Sequence, residues 1–145
     1  MDRTSLSCVA EEIQSPGRDG PGELIGIEYQ ESADDEVRAR VEVSDTVRQP
    51  FGLVHGGVYA VIAESICSRA TWRAVRHEGM LAMGQSNNAT FLRPIAEGHM
   101  NAVARPRHRG RTTWVWDVEI SDDQGRPCTL IRMTVAVRPN RETGS

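Results

Sequence analysis

The chain has 145 residues, 39% of them hydrophobic and 26% charged, with a formal net charge of -3. That length suits one domain with a real core and leaves no room for separate catalytic and regulatory halves, while the slightly acidic balance argues against a dedicated nucleic-acid binder. No apolar run approaches the roughly 20 residues of a membrane-spanning helix, and the polar start from Met1 to Glu12 lacks the charged-then-apolar order of a secretion signal, so a cytoplasmic protein without membrane partners is expected.

The first stretch, residues 1–22, carries Ser15-Pro16-Gly17 and Asp19-Gly20-Pro21-Gly22 without a sustained apolar period and reads as a flexible arm. From residue 23 the texture changes. Leu24, Gly26 and Glu28 alternate with Ile25, Ile27 and Tyr29, a polar turn follows at Ser32 to Glu36, and Val37 to Val43 alternates strictly, so the two runs are expected to form a hairpin. Gly56 to His77 holds no proline and is the one long helical candidate, about 30 Å at the usual rise. Gly79 suits its C-terminal cap. Apolar residues cover much of its circumference, which predicts burial on several sides.

Turn signals divide the remainder into strands over Leu81 to Phe91, Gly98 to Arg107, Arg111 to Ser121 and Pro127 to Val137, with Asp122-Asp123-Gln124-Gly125 as a hairpin turn. In the third of these, Trp114, Trp116, Val118 and Ile120 share one face, which is expected to meet the helix. The order of strand, strand, helix and antiparallel strands indicates an α+β domain over residues 23–141, one helix wrapped by a curved sheet, with 142–145 as a tail.

Three features carry candidate chemistry. Glu64 is the only charged residue between His55 and Arg69, in the least polar part of the helix. A carboxylate in such surroundings calls for a partner or a task. Ser68 at i+4 and Thr71 at i+7 fall on its stripe, and the Ser68 hydroxyl is placed to orient the carboxylate or a water. The plainer alternative is a solvated or salt-bridged helix residue. The second feature is Phe51-Gly52-Leu53-Val54-His55-Gly56-Gly57 at the helix start. Unpaired N–H groups and a partial positive charge at a helix N-terminus suit the polarisation of a carbonyl, although glycines there also serve simple turns. His55 reads either as a base or as a structural cap. The third is the series Arg105, Arg107, Arg109 and Arg111, with Arg93, Arg138 and Arg141 elsewhere. Such a patch reads either as a phosphate grip or as ordinary solvated arginine.

Other chemistries find less support. Cys8, Cys67 and Cys128 are odd in number and widely spaced, which suits reduced thiols. His55, His77, His99 and His108 lack the i, i+4 spacing of helical metal ligands, and no metal is expected. All 17 basic residues are arginine, which removes Schiff-base chemistry and favours planar, bidentate recognition of anions.

With these residues in hand, the chain resembles the hot-dog-fold acyl-CoA thioesterases, and among them the Arthrobacter-type 4-hydroxybenzoyl-CoA thioesterases. The resemblance runs from about Glu42 to Arg141 and rests on Val43-Ser44-Asp45-Thr46, Arg48-Gln49, Gly52-Leu53-Val54-His55-Gly56-Gly57, Tyr59 and Ala63-Glu64. It continues through Gly84-Gln85-Ser86-Asn87, Phe91-Leu92-Arg93-Pro94, Glu97-Gly98-His99, Thr112-Thr113-Trp114-Val115-Trp116-Asp117 and Ala136-Val137-Arg138-Pro139. The resemblance implies a hot-dog fold, Glu64 as the catalytic carboxylate acting as nucleophile or general base, Gly56 N–H polarising the thioester carbonyl, Gln49 assisting and His55 supporting. It also implies an active site shared between two copies in a homodimer, with dimers pairing into tetramers. Arg93, Thr112, Thr113 and Arg141 align with the region that meets the nucleotide end of CoA, and Arg111 stands where the relatives carry a small hydroxyl residue. CoA enters as part of the substrate, and no separate cofactor is expected. Ser68 replaces a threonine of those relatives and Arg69 an acidic residue. An aromatic acyl-CoA is the expected substrate. Arylacetyl- and other acyl-CoAs, a non-catalytic acyl-CoA-binding module and, less well matched, a dehydratase are the alternatives.

Overall fold

A computed structural model describes residues 20–30 and 35–141. Most of the expected N-terminal arm, and the tail 142–145, lie outside the described residues.

The described chain opens with a helical turn, α1 (Pro21–Leu24), followed by a short strand β1 (Glu28–Gln30) and β2 (Val37–Glu42). The alternating run from Leu24 therefore gives less strand than expected. Pro21 sits at the start of α1, where its fixed φ is already helical and its missing N–H costs nothing, and Gly26 turns the chain at φ 76° before β1 begins. The hairpin itself is present: β1 and β2 pair antiparallel with Tyr29 opposite Ala39.

The long helix, α2, spans Gly56–Val75 and runs into a 3-10 turn, Arg76–Glu78, that Gly79 ends in the left-handed conformation expected of it. β3 (Met80–Phe91), β4 (His99–Arg109), β5 (Thr113–Ser121) and β6 (Pro127–Pro139) complete the element list, each within a few residues of its predicted bounds. All pairings are antiparallel, in the order β1-β2-β4-β5-β6-β3. The chain leaves β2 near one edge, crosses the sheet as α2, and returns as β3 at the opposite edge.

The core lies between the sheet and one stripe of α2, formed by Tyr59, Ile62, Ala63, Ile66, Cys67, Thr71 and Val75. These residues follow the 3,4 spacing of a single helical face. Burial on several sides is thus not what one chain provides, because a single-layer sheet covers only the face turned toward it. The tryptophan face of β5 meets the helix as expected. Trp116 is buried, and its Nε1–H donates to Thr71 Oγ1 at 3.0 Å, while that hydroxyl donates to the Cys67 carbonyl at 2.8 Å. Cys67 and Cys128 are free, buried thiols.

Candidate functional site

The approach to α2 is a miniature hairpin. Gln49 N–H donates to the Leu53 carbonyl at 2.7 Å and Gly52 N–H to the Gln49 carbonyl at 2.9 Å, with Gly52 at φ 85°. This is a three-residue loop, Pro50-Phe51-Gly52, whose last position needs the left-handed conformation that glycine adopts freely. Phe51 at its tip is 89% exposed. His55 N–H then bonds to the Val47 carbonyl at 2.9 Å and fixes where the helix begins.

His55 is the N-cap. Its Nδ1 accepts from Gly57 N–H at 2.9 Å, and its carbonyl accepts from Val58 N–H at 2.9 Å. An acceptor Nδ1 puts the ring proton on Nε2. The consequence falls on Gly56: with the next two amides satisfied, its N–H is left at the positive end of a 20-residue helix with no acceptor among the described residues. The Phe91 ring covers this turn so closely that a Cβ on Gly56 would lie 2.9 Å from Phe91 Cζ, and the same ring packs on Tyr59 with centroids 5.9 Å apart. Burial pushes the Tyr59 phenol up to about 12.

Glu64 lies eight residues further, about 12 Å along the helix axis. Its side chain is exposed in the single chain and makes no ion pair among the described residues. The carboxylate lies against the backbone of Gly84 on β3. A Cβ built there would run into Glu64 Oε1 and approach the carboxyl carbon and Met133 Cε to 2.9 Å each. The β3–β6 register shifts between Gly84 and Ser86, so a bulge falls beside the carboxylate. Asn87 Nδ2–H donates to the Ala60 carbonyl at 3.0 Å and ties the same strand to the helix between the two candidate groups. Helix and strand therefore run antiparallel, Gly56 beside Phe91, Ala60 beside Asn87 and Glu64 beside Gly84. Sequence reasoning gave Gly84, Asn87 and Phe91 a place in motifs but no role, since only long-range packing shows what they touch.

Ser68 does share the Glu64 stripe, and its hydroxyl is buried without a partner among the described residues. Gln49 is half-buried in the entry hairpin. One chain thus gathers Gln49, His55 and Gly56 at one end of the helix and Glu64 with Ser68 two to three turns away.

The arginines divide similarly. Arg105 pairs with Glu36 at 2.8 Å and Arg107 with Asp117 at 3.3 Å on the side of the sheet away from α2, while Arg109, past a bulge in β4, pairs with Asp35 at 3.1 Å and lies over the Trp114 ring at 5.4 Å. For these three the ordinary solvated reading holds. Arg93, Arg111 and Arg141 are exposed and make no ion pair among the described residues. They do not cluster in one chain. Thr113 pairs with Ala136 near the end of β6, whereas Arg93 N–H bonds to the Cys128 carbonyl at its start. Eight residues of strand separate those points by roughly 26 Å. Thr112 is engaged through its carbonyl, which accepts from Val137 N–H at 2.9 Å and from Arg138 Nη1 at 2.8 Å.

A cysteine nucleophile is disfavoured, because burial pushes the thiols of both Cys67 and Cys128 up from their ordinary value. A concavity of about 800 Å3 lies on the outer face of the sheet among Ser86, Asn88, Arg105, Arg107, Asp117 and Arg132. Its arginines are already satisfied by acids, with Asp117 serving both Arg107 and Arg132.

One long helix laid across a curved six-stranded antiparallel sheet, with a glycine pair at the helix entry, is the hot-dog architecture of thioester hydrolases. The comparisons agree. The sequence signature of the thioesterase superfamily matches residues 51–129. The proofreading thioesterase EntH of Cronobacter turicensis is 37% identical over 115 residues, covering 79% of this chain and 83% of that protein. Thioesterase PA1618 of Pseudomonas aeruginosa superposes with a TM-score of 0.83 at 35% identity, over 96% of this chain and 97% of that one. Thioesterase HI1161 of Haemophilus influenzae gives a TM-score of 0.83 at 30% identity, over 97% and 95% respectively. The chain belongs to the thioesterase superfamily and is a thioester hydrolase.

Proposed function

We propose that the protein hydrolyses an aromatic acyl-CoA, 4-hydroxybenzoyl-CoA or a related aroyl-CoA, at a site made from Gly56 of one copy and Glu64 of another. The observation that carries this reading is the pairing of an unbonded amide with an exposed carboxylate on one helix, about 12 Å apart. A thioester carbonyl held on Gly56 N–H is out of reach of the same chain's Glu64. β3 supplies the means to join two copies. It is a 12-residue edge strand with most of its side chains exposed, and such an edge is a template for pairing with a second strand. Antiparallel pairing of two β3 strands about a two-fold axis near Asn87, midway between Gly84 and Phe91, would set Glu64 of one copy across from Gly56 of the other.

In that arrangement the helix terminus binds the carbonyl oxygen and stabilises the oxyanion as it forms. Glu64 either attacks the carbonyl carbon, giving an anhydride that water opens, or takes a proton from an attacking water. Both routes break the carbon–sulfur bond and return a proton to the departing thiolate; the general-base route puts the water oxygen on the acid, whereas direct attack passes a Glu64 oxygen to the acid and water, opening the anhydride at the glutamyl carbon, replaces it. Gln49, beside the helix entry, assists at the carbonyl. Arg93, Arg111, Thr112, Thr113 and Arg141 are assigned to the nucleotide end of CoA, with Arg93 contributed by a different copy from the rest.

Release of thiol from a panel of aroyl-, arylacetyl- and fatty acyl-CoAs tests the reading. The aroyl thioesters should have the highest kcat/KM, and Glu64→Gln should lose most turnover while keeping the fold. Full activity in that variant removes Glu64 from the chemistry. A single turnover in labelled water separates the two routes, since direct attack leaves label in the Glu64 carboxylate.

A further inference from the structure

One turn past Glu64, the long helix buries two polar atoms and leaves both unbonded. Ser68 Oγ and Arg69 Nε are shielded from solvent, and neither has a hydrogen-bond partner among the described residues. Both residues line a cleft of about 380 Å3 between α2, α1 and the start of β3, with apolar walls from Ile27, Trp72 and Ala82. That volume is of small-ligand size. The Arg69 guanidinium lies over the Tyr29 ring, 4.0 Å from its centroid. Stacking fixes the plane of the guanidinium and leaves its edge donors for a second partner. The one acid on the cleft wall is Glu23. Glu23 is exposed, and a Cβ on Gly20 would lie 3.2 Å from its Oε2.

The cleft begins one helical turn from the carboxylate. Ser68 follows Glu64 on one stripe, about 6 Å along the axis, and Ala82 precedes Gly84 by two residues on β3. Unbonded buried donors destabilise a fold, so two of them on residues that line an apolar-walled cleft call for an occupant that draws them into hydrogen bonds. We propose that this cleft takes the far end of the acyl group, and that Ser68 and Arg69 select acyl groups carrying a carboxylate on the side away from the thioester. The proposal rests on Glu64 marking the reacting end, as above. Arg69 supplies the charge and an edge donor, Ser68 a second donor, and the Trp72 and Ile27 walls accommodate the ring between the two ends.

Binding tests this apart from turnover, because Trp72 lines the cleft and its fluorescence reports occupancy. 4-Carbamoylbenzoate should bind at least tenfold more tightly than benzamide, whose neutral amide stands for the thioester end, the gain expected of one charge-assisted pair. Arg69→Gln should abolish that preference without weakening benzamide binding, and Arg69→Lys should keep part of it. Equal binding of the two amides, or a preference that survives Arg69→Gln, overturns the proposal. In kinetics the same ratio should appear in kcat/KM for 4-carboxybenzoyl-CoA over benzoyl-CoA and vanish in Arg69→Gln. Tight, Arg69-dependent 4-carbamoylbenzoate binding with no turnover of any thioester would support the anion cleft and reject the catalytic assignment of Glu64.

Discussion

The Glu64 carboxylate rests on the bare backbone of Gly84, in space that any side chain at that position would occupy. An edge strand would ordinarily carry a side chain there. Here the glycine lets the helix and strand approach while the carboxylate stays beside the strand edge. Gly84 has a negative φ, so alanine fits its backbone and the cost of substitution falls on the neighbours, Glu64 and Met133. Gly84→Ala should therefore leave the melting temperature nearly unchanged and lower kcat about a hundredfold, the scale associated with displacing a reacting group by about 1 Å. Adding Gly84→Ala to Glu64→Gln should have little further effect. Steady-state thiol release and thermal melting of the three variants check this, and additive losses would show that Gly84 acts by another route.

His55 is legible in the sequence as either a base or a cap, and the structure makes it a cap. Its Nδ1 is committed to Gly57 N–H. Replacing it with alanine should cost about 1 kcal/mol of stability, and asparagine, a good N-cap, should restore most of that. Urea unfolding of the two variants measures the difference. If His55→Ala is as stable as the parent but inactive, the ring acts on substrate and not on the helix.

Much of the fold was readable because its determinants are local. Strict alternation over Val37 to Val43 gave β2, the Trp114 and Trp116 face of β5 packs on the helix as its period requires, and Gly79 closes the turn after α2. What failed was also physical. The alternation from Leu24 to Tyr29 competes with Pro21, which starts a helical turn that packs against Ser65, close enough that a Cβ on Gly22 would lie 3.3 Å from Ser65 Oγ. The arginine series looked free because its partners are distant in sequence: Arg105 meets Glu36 and Arg109 meets Asp35 across the sheet. Arg38 and Arg105 together hold the Glu36 carboxyl below its usual range. The closeness of Glu64 to Gly84, and of Gly56 to Phe91, arises only when β3 returns beside the helix.

Tyr59 gives the protein an alkaline limit. Burial lifts its phenol from 10.0 to about 12, so the folded state resists ionisation that the unfolded chain accepts. A folded pKa above the unfolded one means that this contribution is complete below about pH 10 and is lost as pH rises through about 12. By pH 11 the loss is about 1 kcal/mol. Tyr59→Phe should cost little at pH 8 and should reduce the fall in melting temperature between pH 8 and pH 11. An unchanged fall would assign the alkaline sensitivity to another buried group, of which Cys67 is the nearest on the same helical face.

The proposed sharing of the site between two copies makes a prediction that a site within one chain does not. Gly56→Pro removes the N–H held responsible for the oxyanion, at a first helical position where proline is favoured, and His55 already has the extended φ of -67° and ψ of 131° that a following proline requires. The ring must also displace Phe91. Gly56→Ala makes that same intrusion while keeping the N–H, so the difference between the two variants isolates the amide. Gly56→Pro and Glu64→Gln should each be inactive alone. Co-expressed, they should form mixed dimers in which one site has both substitutions and the other has neither, restoring about one quarter of wild-type activity when half the dimers are mixed. If both groups act within one chain, every site in the mixture carries a defect and activity stays at background. Activity of the purified mixed dimer, isolated through two different tags, decides between the two arrangements.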